Sequence, residues 1–110
     1  MYEYKAELVR VVDGDTVYLK VDLGFHITTV QSFRLRGIDT PEIRGSEREA
    51  GLVAKAVITD LLAEGQITVK TTKTGKYGRW IGTLYVDDGV KTIDVNEEMV
   101  RRGLAERYPE

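Results

Sequence analysis

From Val17 to Leu23 apolar and polar side chains alternate: Val17, Leu19, Val21 and Leu23 against Tyr18, Lys20 and Asp22. A period of two marks a half-buried β-strand. Upstream, Tyr4 to Val12 is rich in β-forming residues and stops at Asp13-Gly14-Asp15, a turn signal. Downstream, residues 29–38 predict a third strand, with Phe33 and Leu35 on one face and Arg34 and Arg36 on the other, and Gly24 to Thr28 supplies the reversal. The period then changes. Ala50, Val53, Ala54, Val57, Leu61 and Leu62 recur at steps of three and four, the apolar stripe of a helix. Ser46 and Glu49 have capping-box spacing, and Gly65 suits a left-handed C-terminal cap. The helix is therefore predicted over Glu47–Glu64. Gln66–Thr72 and Trp80–Val86 predict two more strands joined by the polar turn Lys73–Gly78. A second capping box, Asp94 with Glu97, opens a short helix ending near Gly103.

The order is three strands, a long amphipathic helix, two strands and a short C-terminal helix. Five strands are too few for a seven-stranded sandwich, and one helix buries only one stripe. A small closed barrel with that stripe plugging one end satisfies both constraints. The reading is an α+β class, a five-stranded OB-fold barrel, with residues 1–110 as a single domain.

Composition narrows the function classes. The chain has 110 residues, 42% hydrophobic and 31% charged, an ordinary globular balance. There is no cysteine and one histidine, His26. That removes thiolate zinc sites, a cysteine nucleophile and a conventional Ser-His-Asp triad. No apolar run approaches the ~20 residues of a membrane span, and the N-terminus lacks the blocks of a signal peptide. Localisation is not legible. The formal net charge of −2 does not announce a nucleic-acid partner. The local distribution is more informative. Lys70, Lys73, Lys76 and Arg79 cluster without an acid between them, whereas Asp39, Glu42, Glu47 and Glu49 form an acidic stretch.

Three segments carry candidate chemistry: Asp13-Gly14-Asp15-Thr16, the run from Arg34 to Glu42, and Lys76-Tyr77-Gly78-Arg79. If strands two and three reverse near residue 27, Asp15 lies opposite Asp39. Two adjacent carboxylates are unfavourable unless a cation or proton separates them, and oxygen-only ligands suit calcium or magnesium. Pro41 would turn the chain and project Glu42 beside the same spot. Arg34 points away from the Phe33 and Leu35 face. Carboxylates, a cation and two arginines suit phosphodiester chemistry, in which positive groups offset charge building on phosphoryl oxygens and a glutamate handles the attacking water. Each element alone has a plainer meaning. Asp-Gly-Asp is most often only a turn, Asp13 shapes that turn, and the lysines equally suit a soluble sheet edge. Their conjunction carries the reading.

With these motifs in order, from about Ala6 to Ala105, the sequence resembles the staphylococcal nuclease (thermonuclease) family, whose domain is an OB-fold. A fourth match runs from Val95-Asn96-Glu97 through Val100-Arg101 to Gly103-Leu104-Ala105. The resemblance implies a calcium ion held by Asp15, Asp39 and the backbone carbonyl of Thr40. It implies Glu42 as the group that activates or orients water, and Arg34 and Arg79 as the arginines on the scissile phosphate. Lys76 and Tyr77 match contacts to the terminal phosphate of a bound nucleotide. It further implies hydrolysis of single-stranded or locally melted DNA and RNA to 3′-phosphate ends, in a family often secreted; the chain itself gives no sign of an obligate oligomer or of a membrane partner, and a monomer is expected. The segment after Glu42 is shorter than in the family's prototype, and Tyr108 is left open as a counterpart of its base-stacking aromatic. Two other readings compete: a non-catalytic OB module of the same family binding nucleic acid or protein, and a structural barrel with ordinary surface ion pairs.

Overall fold

The computed structural model describes residues 2–74 and 78–109. Its strands are β1 (Tyr2–Asp13), β2 (Thr16–Asp22), β3 (Thr28–Leu35), β4 (Ile38–Asp39), β5 (Gln66–Thr74), β6 (Trp80–Asp87), β7 (Thr92–Asp94) and β8 (Glu106–Arg107). A 3-10 turn at Gly45–Glu47 leads into α1 (Arg48–Leu62), and α2 spans Val95–Arg101.

Five strands close the barrel. β1 pairs with β2, β2 with β3, and β1 with β5, all antiparallel; β5 pairs with β6. The parallel pairing of β3 with β6, Phe33 opposite Trp80 and Leu35 opposite Gly82, completes the circuit. This is the expected OB-fold barrel. The short strands β4, β7 and β8 were not foreseen; β4 and β8 form their own two-stranded ladder.

The alternation in β2 reads directly into the core: Val17, Leu19 and Val21 are buried, as are Phe33 and Leu35 of β3. Ile67, Val69, Leu84 and Val86 fill the interior from the far side. α1 packs against β1 and α2. The face it buries is Gly51, Ala54, Ile58, Leu61 and Leu62, whereas Ala50 and Val53 are exposed. The stripe is therefore rotated from the expected one, because Gly51 belongs to it. α2 is tied to the barrel seam by the buried Asn96. Its side chain accepts from the Leu84 N–H at 3.1 Å and donates to the carbonyls of Arg36 at 2.9 Å and Gly82 at 3.2 Å.

Three local expectations need correction. The β2–β3 hairpin reverses at Phe25–His26, not near residue 27, so Thr16 faces Arg34 and Asp22 faces Thr28. Asp15 is thus not opposite Asp39. The Ser46 capping box does not form, because Ser46 lies inside the 3-10 turn and α1 begins behind Glu47, whose backbone is helical and makes no side-chain cap. Gly65 is not among the glycines at positive φ; it is required because a side chain would collide with the Asp87 backbone. The Asp94 cap does form, accepting from the Glu97 N–H at 3.0 Å.

Leu84 is fully buried between the two sides of the barrel. Leu84→Ala should cost about 2–5 kcal/mol, measured as a lower urea midpoint without change in slope.

Candidate functional site

Among the described residues Asp15 is the one buried acid. It ends the turn after β1, where the Asp13 carboxylate accepts its N–H at 3.1 Å. Gly14 lets this turn close: a Cβ there would lie 2.8 Å from the Ala54 Cβ and 2.9 Å from the Thr40 side chain. The glycine is needed for close approach to α1 and Thr40. Asp15 is only 7% exposed. Its carboxylate accepts from the Thr40 N–H at 3.0 Å and from the Thr16 hydroxyl at 3.1 Å, and its carbonyl accepts the Leu35 N–H at 2.8 Å.

Arg34 joins the two aspartates. One guanidinium nitrogen lies 3.5 Å from Asp15 Oδ2 and the other 3.4 Å from Asp39 Oδ1. The two aspartates therefore meet as expected, but by another route: Asp39 arrives on β4, not on an extension of β3. Arg79 reaches the same cluster through Thr16, donating to its hydroxyl at 3.5 Å. The Arg34 guanidinium also lies over the Tyr108 ring at 5.5 Å. Tyr108 is held there by its N–H, which donates to the Gly37 carbonyl.

The electrostatics follow from this packing. Burial alone would raise the Asp15 pKa, but the hydrogen bonds from Asp13 and the Thr40 N–H, with the charge of Arg34, hold it below the usual range. Burial first, then the hydrogen bond and charge of Asp15, push Asp13 up to about 6. Burial and the charge of Asp15 also raise Asp39 against the pull of Arg34.

Glu42 stands apart from this cluster. Its carboxylate is exposed and accepts from Arg44 at 2.8 Å, and its N–H donates to the Glu47 carboxylate at 3.2 Å. It shares a groove of about 270 Å³ with Asp39, Thr40, Glu47 and Glu106. Its backbone is seated on the first turn of α1, where Gly51 is obligatory: a Cβ there would lie 2.5 Å from the Glu42 carbonyl oxygen. Lys76 and Tyr77 lie outside the described residues. Arg44 is the site neighbour that the sequence did not point to, and Tyr108, left open there as a base-stacking counterpart, lies against Arg34. Arg44 lies in no motif and carried no signal.

Among the described residues, no group of three or more His, Cys, Asp or Glu side chains is disposed to hold a metal ion. The Arg34 guanidinium supplies the positive charge that Asp15 and Asp39 require. The donor set expected from the sequence, two carboxylates and a backbone carbonyl, offers only oxygen atoms, the chemistry that would suit a hard cation.

The fold and this cluster define a class: an OB barrel with buried and exposed acids threaded by arginines at the start of β2 and the end of β3. The family model described as "Staphylococcal nuclease homologue" matches residues 32–110, and the chain belongs to that family. The chain is 32% identical to an uncharacterized protein of Methanocaldococcus jannaschii, over 96% of this chain and 59% of that protein. It is 31% identical to a protein named micrococcal nuclease from Shigella flexneri, over 96% of this chain and 59% of the relative. It is 33% identical to an uncharacterized endonuclease of Escherichia coli O157:H7, over 92% and 59%. The chain thus spans about three fifths of the length of the curated relatives it matches.

The raised Asp13 pKa gives a signed test. The unfolded chain ionises this group near 3.8 and the folded one near 6. The native state therefore holds the proton longer, and stability falls as pH rises through that window. Asp13→Asn, which keeps an acceptor for the Asp15 N–H, should gain in melting temperature relative to the parent between pH 4 and pH 8. A constant difference across that range would refute the assignment.

Proposed function

We propose that this chain is a calcium-dependent phosphodiesterase cleaving DNA and RNA within single-stranded or melted stretches and leaving 3′-phosphate ends. One observation carries the reading: the Arg34 guanidinium lies against both Asp15 and Asp39, with Arg79 joined to the same cluster through Thr16. Two arginines beside two acids, at a site open to solvent through the half-exposed Asp39, suit a dianionic transition state. Asp15, Asp39 and the Thr40 carbonyl would hold calcium, whose chemistry is to neutralise charge on the phosphoryl oxygens. Arg34 and Arg79 donate to those oxygens and orient the phosphodiester. Glu42, released from Arg44, accepts a proton from the attacking water. Lys76 and Tyr77 contact the terminal phosphate. The printed names of the nuclease relatives support the same class of substrate.

A second reading has one observation behind it. Glu42 is ion-paired to Arg44, and among the described residues no hydrogen bond or ion pair joins it to Asp15 or Arg34. A non-catalytic module binding nucleic acid or protein would leave it there.

Incubation of single-stranded DNA with the protein separates the two. The enzyme reading expects cleavage with calcium, none with a chelator, and 3′-phosphate termini. Arg79→Ala should lower turnover by about 10²–10³, and Glu42→Gln by about 10²–10⁴. Calcium at a hundredfold excess over its dissociation constant should also stabilise the fold by about 2.7 kcal/mol, a shift that Asp15→Asn removes. Binding without cleavage at high protein concentration, or cleavage indifferent to both variants, contradicts the enzyme reading.

A further inference from the structure

The outward face of β1, β2 and β3 continues away from the candidate site, and its residues are laid out in a row. Thr16 and Arg34 are opposite one another at the site end; one step along, Tyr18 faces Ser32 on one side and Arg10 on the other. Thr16 and Tyr18 share a face of one strand and stand about 7 Å apart. The Arg10 guanidinium carbon lies over the Tyr18 ring, 4.4 Å from its centroid. Arg79, hydrogen-bonded to Thr16, closes the near end. Between Arg79 and Arg10 runs a groove of about 530 Å³, whose lining includes the Thr16, Tyr18 and Ser32 side chains.

Two features make this more than a polar surface. Among the described residues neither Arg10 nor Arg79 has a carboxylate partner, on a chain whose net charge is −2. Arg34, by contrast, is shared by two acids. The groove is also continuous with the candidate site, because Thr16 touches both Arg79 and Asp15. Unpaired guanidiniums, hydroxyls and an aromatic platform are what a flexible polyanion with planar bases would meet.

We propose that this groove is the track of the nucleic-acid strand leading away from the scissile phosphate, with Arg10 taking a second backbone phosphate and Tyr18 fixing its guanidinium. The proposal rests on the nucleic-acid part of the function proposed above, but not on cleavage. Arg10 is a binding residue one strand removed from the reacting groups. Its cation–π contact with Tyr18 limits the side-chain freedom that phosphate binding would otherwise freeze out.

The test measures binding in chelator, where the proposed cleavage does not run, by fluorescence anisotropy of a labelled ten-residue oligothymidylate over a range of salt. Arg10→Ala should weaken binding about tenfold and reduce the slope of log affinity against log salt by about 0.7, the share of one single-strand phosphate. Arg10→Lys should recover the slope. Lys91→Ala, which removes an exposed cation from the turn between β6 and β7, should leave the slope unchanged. An unaltered slope in Arg10→Ala overturns the track, as does an equal loss in Lys91→Ala, which would mean a diffuse field. Equal Arg10-dependent binding of a ten-residue oligoglutamate overturns the assignment to nucleic acid. Arg10-dependent binding by a protein that never cleaves leaves the track standing and removes the enzyme reading. Cleavage with Arg10-independent binding does the reverse.

Discussion

An aspartate buried as deeply as Asp15 is costly to keep ionised unless its oxygens are met by donors. Here every donor comes from a different part of the chain: Thr16 beside it, the Thr40 N–H beyond β4, and the Arg34 guanidinium from β3. Satisfying one carboxylate thus pins the start of β2, the end of β3 and the segment after β4 to a single point. The Asp13 turn and the close packing of Gly14 against Thr40 and α1 hold that point from behind. Barrel closure does the rest, since the β3–β6 pairing brings the residues flanking Trp80 beside Phe33 and Arg34.

The same constraint organises charge. Arg34 is shared by two aspartates and, among the described residues, Arg79 is paired with no acid, so the side chains change from acids around the groove of Asp39, Glu42, Glu47 and Glu106 to arginines around the groove of Arg79 and Arg10. In the proposed function a cation site and a polyanion site would abut along β2, giving a chain of negative net charge a local surface able to meet a phosphate backbone. Family membership and geometry point the same way here, although each would be weaker alone: OB barrels serve many purposes, and an arginine between two aspartates is often only structural.

Much of this was legible in the residues. The alternation of Val17, Leu19 and Val21 matches the core face of β2, and the first two motifs named Asp15, Arg34 and Asp39, which the fold brings together. Other parts were hidden for identifiable reasons. The two-residue turn holds Phe25 at φ 54° and His26 at φ 62°, positions where Asn-Gly is the usual signal; without it the hairpin centre was misplaced by two residues. The α1 stripe was misjudged because Gly51, buried for the sake of the Glu42 backbone, carries no hydrophobic signal. β4 and β8 are two residues each, too short for any period to register. The Glu42–Arg44 pair and the Arg10–Tyr18 contact depend on loop conformation and on a bulge in β1, neither of which a linear pattern encodes.

The convergence of Asp15, Arg34 and Asp39 is tested most directly by following the side-chain carboxyl resonances of both aspartates against pH in the parent and in Arg34→Gln. The account predicts Asp15 titrating below the ordinary aspartate range and Asp39 above it, with both moving upward when the guanidinium is removed. Two aspartates titrating at ordinary values, indifferent to the loss of Arg34, would contradict it.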